Sequence, residues 1–301
     1  MEKAVVPTID VSGIDGLEEE YLAKFETNKE VHDKIRELKL SRGMVKANLG
    51  KLIAYYDDNL ICQHCPGYEK CPKEEAYFMM SLSRDGDYVS RSYAPCHCFM
   101  ERASLLSHYL YHDFPDEWLG KGLSDLPKDQ RTSSFLSSLM SIFNNPDKPF
   151  LFVNGEPGVG KSFLSVCWLN ALISSAGFKV AFLGANKRFD ELKGTSINDK
   201  ARFDSLMNEL MSLDVLVIDD FGSEFVSDYL RDQIVIPLIS ERAKAKRLTI
   251  FCSDFTLNEI QTLYSNSKIG AIRAKQLISV IASNGREPVV LKKSFDSNLG
   301  M

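Results

Sequence analysis

Long apolar runs are missing from this chain. No stretch approaches the ~18 consecutive apolar residues that a membrane span requires, so no membrane partner is expected. The opening segment, MEKAVVPTIDVSGIDG, lacks the apolar centre of a secretory leader, and a cytoplasmic location is expected. An excess of positive charge is lacking too. With 36 Lys and Arg against 41 Asp and Glu, the net charge is −5. That argues against coating duplex DNA by bulk charge and leaves room only for a local basic groove. Internal repeats and low-complexity tails are also absent. Cysteine is scarce outside one place: of seven, Cys62, Cys65, Cys71, Cys96 and Cys98 crowd into a short segment. In a reducing compartment such a cluster reads as metal ligands before disulfides. Cys167 and Cys252 lie in apolar patterns and read as small core residues.

A chain of 301 residues suggests two domains. Residues 17–57 are charged and helical in pattern, with Tyr21, Phe25, Val31, Ile35 and Leu38 recurring every three or four positions. The cysteine segment follows, and in its middle Asp85-Gly86 signals a hairpin between short strands. ERASLLSHYLYHDF reads as a helix. From 149 onward, apolar strands at about 149–154, 179–184, 214–219, 248–253 and 288–292 alternate with helices. That alternation predicts an α/β domain with a five-stranded parallel sheet. The expected division is an N-terminal domain at 1–112 (helical 17–57, zinc segment 60–98), a linker at 113–145 carrying one serine-rich amphipathic helix, and a nucleotide-binding domain at 146–301.

The most informative run is FLFVNGEPGVGKS, Phe150 to Ser162. Gly155, Glu156, Pro157, Gly158, Val159, Gly160, Lys161 and Ser162 fit G-x-x-x-x-G-K-[ST] at every fixed position. Glycines let the backbone turn its N–H groups toward phosphates, Lys161 reaches the β/γ-phosphates, and Ser162 can ligate Mg²⁺. The apolar helix that follows adds an N-terminus that favours anions. These features imply binding of a nucleoside triphosphate. Downstream, Asp214-Val215-Leu216-Val217-Ile218-Asp219-Asp220 is a buried-strand pattern ending in two carboxylates. Asp219 is placed to hold Mg²⁺, and Asp220 to orient or deprotonate the attacking water. Ser253 and Asp254 end the next apolar strand. They either sense the terminal phosphate or cap the helix near Thr256. Arg273, on a late helix, is either an arginine finger acting across a subunit interface or a solvated surface charge.

For the cysteines, a tetrahedral structural Zn²⁺ needs four ligands tying distant segments together. Cys62 and Cys65 form one knuckle, and Cys96 and Cys98, with Cys71 in contention, complete a set of four cysteines or of three cysteines and a histidine, in which His64 and His97 are the less favoured ligands. A redox dithiol or unligated thiols are the alternative. Lys187, Arg188 and Lys193, with Phe189 and Phe203 nearby, and Lys244, Lys246 and Arg247 are candidates to line a single DNA strand through charge and stacking. The plainer reading of each is a solvated helix face.

Several of these residues carry a family resemblance. Asp219-Asp220-Phe221-Gly222-Ser223-Glu224, Asp228-Tyr229-Leu230-Arg231-Asp232-Gln233, Glu241-Arg242 and Thr249-Ile250-Phe251-Cys252-Ser253-Asp254 resemble the AAA+ ATPase domain of bacterial replicative helicase loaders of the DnaI/DnaC type. The resemblance covers about residues 115–295, and a helical, zinc-bearing domain ahead of the ATPase matches the DnaI architecture. It implies an ATPase using ATP, Mg²⁺ and Zn²⁺ in the primosome. Its N-terminal domain would dock on the replicative helicase hexamer, and its AAA+ domains would self-associate and help place the ring on single-stranded DNA at initiation or restart of replication. Two departures stand out. Asp254 occupies the position where that family carries Asn, and only Arg273 remains of a distal pair of arginines, so hydrolysis is expected to be slow or partner-dependent. The alternatives are an IstB-like transposition helper ATPase and a nucleotide-binding zinc adaptor without significant turnover.

Overall fold

A computed structural model describes residues 14–73, 76–144 and 146–292. The stretch read above for a secretory leader lies almost wholly outside that range. The chain forms two compact units, Met1–Ala103 and Ser104–Met301.

In the first unit, helices α1 (Ile14–Thr27), α2 (Lys29–Glu37), α3 (Arg42–Ala47) and α4 (Leu49–Gln63) precede a hairpin of β1 (Phe78–Asp85) and β2 (Tyr88–Pro95). Helix α5 (His97–Leu106) follows and contains the unit boundary. Asn28 caps α2 by accepting from the Val31 N–H, and Ser41 caps α3. The periodic apolar residues meet as expected: Phe25, Val31, Val45, Leu52 and Tyr55 are buried with Met80, Leu82 and Val89 of the hairpin. Asp58 joins helix to hairpin, accepting the Met80 N–H at 3.0 Å and the Lys73 ammonium at 2.8 Å. The hairpin turns at the expected place, with Asp85 opposite Tyr88 and Gly86 at φ +60°.

The second unit continues with β3 (Tyr109–His112), α6 (Gln130–Asn144), β4 (Phe150–Gly155), α7 (Lys161–Ala176), β5 (Val180–Gly184), α8 (Ala185–Asn198), α9 (Lys200–Ser212) and β6 (Val215–Asp219). A π-helical turn at Leu230–Val235 leads into α10 (Ile236–Lys244), β7 (Leu248–Ser253), α11 (Leu257–Leu263), α12 (Lys268–Ser283) and β8 (Val289–Leu291). The sheet has six described strands in the order β3-β5-β6-β7-β4-β8, all parallel. Side-chain alternation sorts two cores. Phe150, Phe152, Leu216 and Ile218 face α8 to α12, whereas Leu151, Val153, Val215 and Val217 face α6 and α7.

Three expectations are corrected here. Among the described residues the sheet has six strands, not five, because Tyr109–His112 pairs with β5 instead of prolonging a helix. Tyr109 enters one core and Leu110 packs against the other. The open edge of β5 supplies the partner, and such tertiary pairing outweighs local helix propensity. The expected boundary at 112/113 falls inside the second unit. Finally, 113–145 is not a linker: Phe114, Leu126, Phe135, Leu139 and Ile142 are buried in the core on the α7 side.

Candidate nucleotide site

The site lies where β4, β6 and β7 end side by side. Between β4 and α7, Gly158 and Gly160 take φ of +82° and +98°, which lets the loop fold over the N-terminus of α7. Gly155 is demanded by the sheet: a Cβ there would stand 2.2 Å from the Leu291 carbonyl oxygen of β8. Val159 is the loop's apolar anchor, buried beside Leu164.

Lys161 points back under the loop. Its ammonium donates to the carbonyls of Gly155 (2.7 Å) and Glu156 (3.1 Å) and to Asp254 Oδ1 (2.7 Å). Ser162 Oγ donates to Asp219 Oδ1 at 3.0 Å, so the loop and the end of β6 are in contact across 57 residues of sequence. Burial, reinforced by the negative charge of Asp220, pushes the Asp219 carboxyl up to about 6. A buried carboxylate held by one hydroxyl, beside a second carboxylate, fits a divalent cation that would supply the missing positive charge. Asp220 is exposed, has φ +52°, and lines a cavity of about 500 Å³ with Asp113, Asn186, Lys187, Asp190 and Glu191. Ser253 and Asp254 do not cap α11. Thr256 does so, in a capping box with Glu259.

Sequence patterns pointed to Glu224 and Arg231 as diagnostic without assigning them a job. Both are buried staples of the turn after β6. Glu224 accepts the Gly222 N–H at 2.7 Å and the Tyr264 hydroxyl, and burial pushes its carboxyl up. Arg231 is completely buried, paired with Asp228 (2.7 Å) and Asp232 (2.8 Å) and donating to Tyr264 O and Asn266 Oδ1. Together they fix the turn carrying Asp220 to the elements leading into α12. A contact missed by sequence reasoning is Arg131, which bonds Asp129 and reaches the Val159 carbonyl of the loop at 3.4 Å. No spacing in the sequence signals it.

Arg273 is exposed on α12, where its guanidinium donates to Gln276 at 3.1 Å, and its described contacts do not include Lys161, Asp219 or Asp220. Of the basic candidates, Arg188 and Lys187 clamp Asp113, Arg188 through two bonds of 2.6 Å. Lys246 pairs with Asp147, Lys244 with Glu241, and Arg247 with Asp214. Phe189 and Phe203 are core residues, 0% and 6% exposed, so neither is available for stacking.

In the first unit, Cys62, Cys65, Cys71, Cys96 and Cys98 line a single cavity of about 580 Å³. Cys65 and Cys98 bring their sulfurs to 3.5 Å, and Cys96 Sγ accepts the Phe99 N–H. Burial and the neighbouring sulfur push the Cys98 thiol up. Among the described residues, no group of three or more His, Cys, Asp or Glu side chains is arranged as a metal site. No helix among them is long and apolar enough to cross a membrane.

A parallel sheet with this strand order, a phosphate-binding loop after β4 and a carboxylate pair after β6 define an AAA+ P-loop nucleotide-binding domain. The chain belongs to the family of IstB-like ATP binding proteins, whose pattern matches residues 125–276. It is homologous to replicative helicase loaders. It is 22% identical over 243 residues to "Replicative helicase loader DnaI" of Bacillus subtilis (strain 168), covering 77% of this chain and 76% of that protein. It is 27% identical over 132 residues to "Replicative helicase loader DnaC" of Escherichia coli (strain K12), covering 44% of this chain and 53% of that protein. The crystal structure of DnaI shares the fold, with a TM-score of 0.53 at 22% identity over 62% of this chain and 98% of that one.

Proposed function

We propose that this protein is a replicative helicase loader: it binds the replicative DNA helicase through its N-terminal unit and helps place it on single-stranded DNA, with ATP as the switch. One observation carries the reading. The match to the DnaI loader runs for 243 residues, longer than the whole second unit, so the likeness includes part of the N-terminal unit and not only the domain shared with IstB-like proteins. That favours a loader over a transposition helper. A groove of about 320 Å³ on the N-terminal unit, lined by Leu22, Phe25, Ile35, Leu40 and Val45 together with Glu26, His32 and Arg42, supplies an apolar floor with a charged rim for a helical partner. Such a partner acts in the cytoplasm.

In the ATPase unit, Lys161 and the N–H groups of Gly158 to Ser162 would hold the phosphates, and Ser162 and Asp219 would hold Mg²⁺, which neutralises charge on them. Asp220 orients the attacking water. Arg273, flanked on α12 by exposed Ile269 and Ile272, is the residue offered across an interface between copies, where its guanidinium stabilises transition-state charge. Turnover is slow until that interface forms.

The experiment is to mix the full chain with the replicative helicase of the same organism and weigh the products by native mass spectrometry, with and without ATP. A stable complex is expected. No complex under either condition overturns the loader reading.

Zinc belongs to the same proposal. The 3.5 Å between Cys65 and Cys98 sulfurs is close to the ~3.8 Å edge of a tetrahedron with Zn–S bonds of about 2.3 Å. Four of the five clustered cysteines would supply its ligands and hold the hairpin end to α4. Elemental analysis should find about one zinc per chain, lost in the Cys62→Ser, Cys65→Ser double variant; metal-free, natively folded wild-type protein would remove the claim.

A further inference from the structure

The ammonium of Lys161 has three N–H donors, and all three are used: two on loop carbonyls and one on Asp254. An incoming phosphate oxygen therefore has to displace a bond already made. The bond to Asp254 is the ion pair among the three, and Lys161 is 5% exposed, so it cannot bond a fourth acceptor by turning outward.

Asp254 has no backbone freedom with which to withdraw. The preceding residue, Ser253, is paired with Asn154 of β4, and its hydroxyl donates to the Phe221 carbonyl at 2.6 Å while accepting the Phe255 N–H at 3.0 Å. Phe221 in turn donates its N–H to the Cys252 carbonyl at 2.8 Å. Two residues later Thr256 is locked in the cap of α11. The tip of β7 is thus pinned to the turn after β6 on one side and to a helix start on the other. Only rotation of the exposed side chain remains, which can lengthen the bond to Lys161 but keeps the carboxylate within a side chain's reach of the phosphate loop.

We infer that Asp254 is a specificity-determining residue that holds Lys161 in the nucleotide-free protein and disfavours a nucleoside triphosphate relative to a diphosphate. This rests on the reading of Gly155–Ser162 as the phosphate loop. Any phosphate oxygen that bonds Lys161 sits within a few ångströms of whatever else that ammonium touches, here a second anion. The cost grows with the total charge of the nucleotide, and a triphosphate carries about one more negative charge than a diphosphate, on a phosphate that extends past Lys161. Asp219 and Asp220 lie at the same end of the sheet, so the triphosphate meets three carboxylates against one lysine. Binding of the triphosphate then depends on added positive charge, from Mg²⁺ at Ser162 and Asp219 or from a residue brought by a partner.

The test is calorimetric titration of the full chain with Mg·ATP and Mg·ADP, comparing wild type with Asp254→Asn and Asp254→Ala. Both substitutions remove the charge. ATP should bind about tenfold more tightly in each, as expected from relieving one charge-assisted contact, while ADP shifts less than about threefold. In the absence of nucleotide, both variants should melt at or below the wild-type temperature, because the bond to Lys161 is gone. A merely structural role would weaken both nucleotides together. An unchanged ATP-to-ADP ratio overturns the inference, as does tightening by Asn but not by Ala, which would trace the effect to a new amide contact. If folded wild type and both variants bind neither nucleotide, the phosphate-loop reading has failed and the inference falls with it. ATP binding by the variants alone would be the strongest support.

Discussion

Lys161→Ala abolishes nucleotide binding, with dissociation constants for both ATP and ADP raised at least about 100-fold. The side chain is 5% exposed and aimed at the loop that would receive the phosphates. Each charge-assisted bond it makes to a phosphate contributes about 1.5–3 kcal/mol, and 1.4 kcal/mol is a factor of ten. Loss of one to two such bonds removes about two orders of magnitude. The loop itself should survive, because its conformation rests on Gly158, Gly160 and the buried Val159 and not on the lysine tip. Calorimetry on protein whose circular dichroism matches wild type is the check. Unchanged affinity in such protein would refute the site.

The second large effect is on stability. Arg242→Ala should cost the second unit about 3–5 kcal/mol, as expected when several buried acceptors lose a cationic donor at about 1–3 kcal/mol each. Arg242 is 0% exposed, and its guanidinium donates to Leu210 O (2.7 Å), Leu213 O (2.9 Å), Leu248 O (2.6 Å) and Thr249 Oγ1 (2.9 Å). These acceptors are the last turn of α9 and the first residues of β7. One side chain therefore ties helix-end carbonyls to a strand start. Burial pulls this guanidinium down to about 9, so it is still cationic at neutral pH. Removal takes a donor from three buried carbonyls and a hydroxyl at once, each loss costing up to about 1–3 kcal/mol. Arg242→Lys should recover little, since an ammonium does not reproduce the planar fork. Urea unfolding followed by fluorescence reads this directly; a midpoint shift equivalent to under ~1 kcal/mol would sink the argument.

Much of the ATPase fold was legible because its signals are local. Five apolar strands and the loop from Gly155 to Ser162 are contiguous patterns, and each strand was found within about a residue of its place. The sixth was not, because Tyr109–His112 is a strand only by pairing with β5 across some 70 residues. The serine-rich α6 was read as a connector, although Phe135, Leu139 and Ile142 lie on one face and are buried. Its apolar residues are ordinary helix spacing, and nothing local says what they pack against. Phe189 and Phe203 show the same limit in reverse: adjacency to lysines in sequence suggested stacking, and packing placed both in the core.

Sequence alone determined that a phosphate loop and a carboxylate-ended strand share one sheet, since the residue types and spacings that cradle phosphate and metal leave few alternatives. Tertiary structure decided which of those residues touch. It put Ser162 on Asp219, turned Glu224 and Arg231 into staples of the turn between them, and set Asp254 against Lys161 across 93 residues. Contacts at such separations depend on how parallel strands register, and register is set by the packing of both sheet faces, which no local pattern encodes.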